Sequence, residues 1–114
     1  DNPDFADEIR YKGQILQEEL SKMVAKYPQL DMDLRGRGMI WGLDIPRPGF
    51  AGEVSRLAFA NRLVIELAGA DDNVVKFLPA LTIEEDLLRQ GLEIIDRVIG
   101  ELMESKAHSF GGSH

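Results

Sequence analysis

The chain has 114 residues, with 13 basic against 20 acidic side chains, a formal net charge of −7, 44% hydrophobic residues and no cysteine. That length supports one globular domain and excludes wholesale disorder or a fibrous repeat. The acidic balance argues against nucleic acid or an anionic membrane as partner, and the missing cysteines remove disulfides, thiolate metal sites and a thiol nucleophile.

The opening segment reads as a helix over 4–27. Asn2 is its predicted cap, Pro3 suits the first turn, and Asp4, Asp7 and Glu8 complement the positive end of the dipole. Phe5, Ile9, Leu16, Leu20, Met23, Val24 and Tyr27 share one face, while Gly13 weakens the middle by about 1 kcal/mol relative to alanine. Tyr27-Pro28 ends the helix, because a residue before proline is pushed out of the α region.

Met32 to Arg35 alternates, Gly36-Arg37-Gly38 reads as a turn or bulge, and Met39 to Ile45 reads as a strand. Met39, Trp41, Leu43 and Ile45 form the core face of that strand, and Gly42 on its back allows something bulky to approach. After Pro46-Arg47-Pro48-Gly49, a short helix is predicted over 51–61, burying Val54, Leu57 and Ala58. Leu63 to Leu67 reads as a strand with Leu63, Ile65 and Leu67 on one side. A polar turn, Gly69 to Asn73, leads to a further strand, Val74 to Leu78, closed by Pro79. Thr82 and Glu85 have capping-box spacing ahead of a last helix over 84–104, whose apolar face carries Leu88, Leu92, Ile95, Val98, Ile99, Leu102 and Met103. Residues 105–114 read as a flexible tail.

The expected fold is α+β: a small antiparallel sheet of three to four strands, covered on one face by helices, in one domain over 1–104. No apolar run approaches the roughly 20 residues that cross a bilayer, and no signal-peptide core opens the chain, which favours the cytoplasm. The chain begins Asp1-Asn2-Pro3 without methionine, a hint of a processed product or a piece of something longer.

Several motifs could carry chemistry. Gly36, Gly38 and Gly42 have G-x-G-x-x-x-G spacing, one residue too long for a dinucleotide fingerprint, and a strand follows where a helix N-terminus is required. Asp31 with Asp33, Asp71 with Asp72, and Glu84, Glu85 with Asp86 read as solvated turn or helix-start carboxylates, not as a converging acid–base pair. His108 and His114 both sit in the tail and make no preorganised metal set. Lys76 stands out. Alternation places it with Val74 and Leu78, so a cation interrupts an apolar face. It reads either as an edge-strand lysine reaching water and deterring edge pairing, or as a lysine holding an anion, such as a substrate carboxylate, at the sheet's margin. Without outside knowledge the residues describe an α+β module with no self-contained active site.

Two segments add a resemblance. Arg35-Gly36-Arg37-Gly38-Met39-Ile40-Trp41-Gly42-Leu43-Asp44-Ile45, and then Asn73-Val74-Val75-Lys76-Phe77-Leu78-Pro79-Ala80-Leu81-Thr82-Ile83-Glu84 with Gln90-Gly91-Leu92, resemble the C-terminal small domain of class III aminotransferases, pyridoxal-phosphate enzymes of fold type I. Order and spacing cover nearly the whole chain. Within the family, Gly38 to Gly42 and Gly69 to Lys76 most resemble the ectoine-pathway branch that moves an amino group from glutamate to aspartate 4-semialdehyde. The resemblance implies a large pyridoxal-phosphate-binding domain as partner, amino-acid substrates and a homo-oligomer. The Schiff-base lysine and the cofactor-pairing aspartate would lie in that large domain. This chain alone would then hold no catalytic residue, no metal ligand and no cofactor, and would be inactive. Lys76 falls where many members carry an arginine for the substrate's α-carboxylate, which makes it the expected substrate-binding residue. Alternatives are another class III aminotransferase, of ornithine, acetylornithine or 4-aminobutyrate type, or a free-standing interaction module with no catalytic parent.

Overall fold

The computed structural model describes the backbone over residues 3–61 and 65–111 and side chains over 4–61 and 65–105. The elements are α1 (Pro3–Lys26), a 3₁₀ turn (Pro28–Leu30), β1 (Asp33–Arg37), β2 (Ile40–Asp44), α2 (Phe50–Ala60), β3 (Glu66–Ala68), β4 (Val74–Phe77) and α3 (Glu85–Gly111). All four strands form one antiparallel sheet in the order β1-β2-β4-β3. The expected α+β architecture is what forms.

One sheet face carries the core. Trp41 and Leu43 on β2 lie opposite Phe77 and Val75 on β4, and all four are buried. From the helices come Leu16, Leu20 and Met23 of α1, Phe50, Val54 and Ala58 of α2, and Leu88, Leu92, Ile95, Val98, Ile99 and Leu102 of α3. Fully burying a leucine, isoleucine, valine or phenylalanine is worth about 1.5–3 kcal/mol, so these spaced side chains supply the drive that fixes each helix's rotation. The helical periodicity read in the sequence names most of them. It omits Ile15, which is buried as well.

Gly13 has a use that helix propensity conceals. It is buried in α1, and a Cβ built on it would lie 2.7 Å from the Gly38 carbonyl oxygen in the β1–β2 hairpin. Only glycine lets the helix and the hairpin approach so closely. The same carbonyl accepts a 2.7 Å hydrogen bond from the Trp41 indole nitrogen, which fixes the hairpin turn. At the other end of α1, the Tyr27 hydroxyl donates to Asp96 Oδ1 at 2.6 Å, and Lys26 pairs with Asp96 at 3.1 Å, clamping α1 to α3.

Four expectations need correction or bounds. Val74 and Lys76 do share one face of β4, half-buried, and the core takes Val75 and Phe77 from the other face. β4 lies between β2 and β3, so Lys76 is not on an edge strand. Thr82 does not cap α3: the Ile83 N–H bonds Ala80 O at 3.0 Å in an intervening turn, and the first helical bond runs from the Leu88 N–H to Glu84 O. The strand expected from Leu63 is seen as β3 from Glu66, while Asn2, residues 62–64, and the side chains of Lys106 and His108 lie outside the described residues, as does His114. α3 itself continues past the expected end at 104 to Gly111.

Candidate functional site

Among the described residues, no element covers the sheet face away from the helices, and the residues on that face follow from register. One row across the strands reads Arg35, Gly42, Lys76, Glu66, and the next reads Asp33, Asp44, Val74, Ala68. Gly42 lacks a side chain between the two cations, and a Cβ there would stand 3.0 Å from Val74 Cγ1. The expected close approach at Gly42 is therefore made by Val74 of the neighbouring strand.

Most charges in these rows are spoken for. Arg35 donates from Nε to Asp33 Oδ2 at 2.8 Å and from Nη2 to Asp44 Oδ2 at 3.4 Å. The hydrogen bond to Asp33, with both carboxylate charges behind it, holds the guanidinium above its ordinary pKa. Asp44 Oδ1 accepts a 2.6 Å bond from Asn73 Nδ2, while Asn73 O accepts from the Ile45 N–H at 2.8 Å. These bonds tie the start of β4 to the end of β2, three residues before Lys76.

Lys76 differs. It is half-buried, and among the described residues it makes no hydrogen bond and no ion pair. It lines a hollow of about 160 Å³ with Ile65, Glu66 and Leu78. An ammonium on a partly desolvated surface, with Ile65 and Leu78 beside it and its cross-strand neighbour Glu66 outside ion-pair distance, could receive a carboxylate from outside the chain. The edge-lysine reading falls with the strand order; the anion-holding reading keeps its geometry.

The other sequence candidates do not converge on that site. Asp33 serves Arg35, Asp71 and Asp72 lie in the β3–β4 turn, and Glu84, Glu85 and Asp86 sit at the start of α3. No group of three histidine, cysteine or acidic side chains among the described residues could hold a metal ion. No helix among them is long and apolar enough to cross a membrane. Two features escaped sequence reading. The Asn73–Asp44 bond joins residues far apart in the chain, and Lys12, on the largely apolar face of α1, is buried.

Known proteins give this geometry a family. The sequence model of the family Aminotransferase class-III matches residues 1–99. The chain belongs to the class-III aminotransferase family. Diaminobutyrate–2-oxoglutarate transaminase of Wolinella succinogenes is 50% identical over 103 residues, which is 90% of this chain and 24% of that protein. The enzyme of the same name from Oceanobacillus iheyensis is 40% identical over 100 residues, covering 88% of this chain and 24% of its own length. The chain thus spans about a quarter of the length of the curated relatives it matches. Among solved structures, an N-acetylornithine aminotransferase from Stenotrophomonas maltophilia superimposes with a TM-score of 0.77 at 22% identity, over 91% of this chain and 28% of that one. A phospholyase from Arthrobacter superimposes with a TM-score of 0.78 at 20% identity, over 86% of this chain and 25% of that one. At those identities the likeness is one of fold.

Members of the family use pyridoxal phosphate, and the residues present here do not fit it. The three helices begin with acids, Asp4 on α1, Glu53 on α2 and Glu85 with Asp86 on α3, where a phosphate would need open N–H groups. Lys22 and Lys26 are tied to Glu19 and Asp96 on the surface, and the two lysines unpaired among the described residues lie apart, Lys12 in a groove with Glu8, Glu84 and Glu85 and Lys76 in a hollow with Glu66, where acids would oppose a phosphate. No step of cofactor chemistry is assigned to these residues.

Proposed function

We propose that this chain is the small domain of a pyridoxal-phosphate aminotransferase that passes the amino group of glutamate to aspartate 4-semialdehyde, giving 2-oxoglutarate and 2,4-diaminobutyrate for ectoine synthesis in the cytoplasm. The carrying observation is that relatives between 35% and 50% identical, over most of this chain, bear the name diaminobutyrate–2-oxoglutarate transaminase. The cofactor and its Schiff-base lysine belong to a large domain, and the working enzyme is a homo-oligomer. The open sheet face is the wall turned toward that domain.

In this reading Lys76 grips a substrate carboxylate. Its free ammonium on the open face supports the role, and Asn73 with Asp44 sets the strand that carries it. A lysine offers a point charge where an arginine would offer a fork, so it attracts the carboxylate while orienting it less.

The test is a chimera: the Wolinella succinogenes enzyme with its matching segment replaced by this chain. Retained glutamate-dependent amination of aspartate 4-semialdehyde supports the proposal. A chimera that folds and binds cofactor yet aminates only other acceptors overturns it. In the active chimera, Lys76→Ala should raise KM for a carboxylate-bearing substrate about tenfold or more with kcat less affected, and Lys76→Arg should restore it. Unchanged kinetics for both substrates would remove Lys76 from the site.

A further inference from the structure

We infer that the groove between the first half of α1 and the entry to α3 binds a free α-amino acid, with Lys12 receiving its carboxylate. The groove has a volume of about 550 Å³, inside the rough 300–1,000 Å³ range of small-molecule sites. Its floor is Lys12, which is only 7% exposed.

Among the described residues Lys12 makes no hydrogen bond and no ion pair. Yet among the described residues no buried side-chain nitrogen or oxygen is left without a partner, so the ammonium meets solvent inside the groove it lines. The stem of Lys12 is buried while its ammonium opens to the groove, with the carboxylates of Glu8, Glu84 and Glu85 in the same lining and none of them bonded to it. Its charge is felt at Glu85, but that carboxylate already accepts from the Tyr11 hydroxyl at 3.1 Å and from Arg89 Nε at 2.9 Å. Lys12 therefore brings N–H donors to the groove that no described side chain uses.

The remaining walls narrow the ligand. The carboxylates of Glu8, one turn before Lys12 on α1, and of Glu84 on the opposite side make no side-chain hydrogen bond or ion pair among the described residues and would receive an ammonium. Thr82 adds a hydroxyl, and the exposed rings of Phe5 and Tyr11 supply an apolar side. One cation at the floor with carboxylates at the rim matches a zwitterion, whose two charges stand a few ångströms apart. The same rim opposes a multiply charged anion such as a phosphate, and the floor opposes a simple amine.

The inference does not depend on the transaminase reading, and it can be tested on the chain itself. An ¹⁵N-labelled sample is titrated at neutral pH with glutamate, 2-oxoglutarate, butylamine and pyridoxal phosphate, following amide shifts by NMR. Glutamate should give saturable shifts at residues 11–13 and 82–86. Binding should be at least about tenfold weaker for 2-oxoglutarate, which lacks the ammonium, and for butylamine, which lacks the carboxylate. Lys12→Met keeps the buried stem and should lose glutamate binding about tenfold or more, and Glu8→Gln should weaken it by less. Should Lys12→Met fail to fold, the comparison of ligands on the unaltered chain decides alone. Equal response to all ligands, shifts centred elsewhere, or no saturable response to glutamate would overturn the site.

Discussion

At the scale of single residues, two positions show how contacts reverse what propensity suggests. Alanine in place of Gly13 gains about 1 kcal/mol of helix propensity. Its methyl would meet the Gly38 carbonyl oxygen at 2.7 Å, and backbone cannot rotate away as a side chain can. Gly13→Ala is therefore expected to lower stability by about 1–3 kcal/mol, seen as a lower urea midpoint at unchanged slope. An unchanged or higher midpoint would mean that α1 shifts to make room. Tyr27 supplies the second case. Burial first, and then its hydrogen bond to Asp96, push its phenol above the ordinary value, while the bond to Asp96 does the same for Lys26. The folded state holds both protons more tightly than the unfolded one. Their contribution is whole below the ordinary tyrosine value and is lost as pH rises through the folded values. Unfolding free energy should thus decline above about pH 10. Tyr27→Phe should cost about 1 kcal/mol near neutrality and flatten part of that alkaline decline.

At the scale of elements, the start of α3 makes a test of where a helix begins. Thr82 lies two residues ahead of the first helical bond, so Thr82→Ala should leave chemical denaturation within about 0.5 kcal/mol, where a true cap would cost about 1. Sequence alone could not place that start. Thr82 and Glu85 satisfy the capping spacing, and the Ala80–Ile83 turn that intervenes is set by the β4–α3 connection. The three helices, by contrast, were legible, because positions such as Leu88, Leu92, Ile95 and Ile99 repeat at a period only a helix satisfies. β2 was legible too, since its buried Trp41 and Leu43 alternate with glycine and charge. β4 was legible as a strand but not in which face it buries: Val74, Val75, Phe77 and Leu78 offer apolar residues on both sides, and pairing with β2 decides between them. The candidate site shares that history. The chemistry of Lys76 could be read from the chain, but its place across from Gly42 and beside Glu66 comes only with strand order.

At the scale of the molecule, the folded chain keeps apolar surface uncovered. Ile40 on the open sheet face is 55% exposed, and Leu78 and Leu87 near the β4–α3 connection are 46% and 53% exposed. Against a net charge of −7, such side chains should still drive reversible association as concentration rises. Sedimentation velocity should show it, and Ile40→Lys should move the distribution toward monomer; an unaltered chain that stays monomeric at every concentration would mean these side chains are too dispersed to act together. The same chain, mixed with pyridoxal phosphate and glutamate, should form no 2-oxoglutarate. Measurable turnover would show that its own lysines suffice for the chemistry.

The order β1-β2-β4-β3 also bears on synthesis. β2 reaches its second neighbour only when the strand carrying Lys76 has been made, after α2 and β3 have already emerged. During translation, then, a nascent polypeptide passes through an interval in which β2 displays a bare edge that any similar strand could capture. A product cut off just before Val74 would lack the middle strand of its own sheet. Pulse-labelled truncations ending there should pellet, whereas those extending through the last helix should stay in the supernatant.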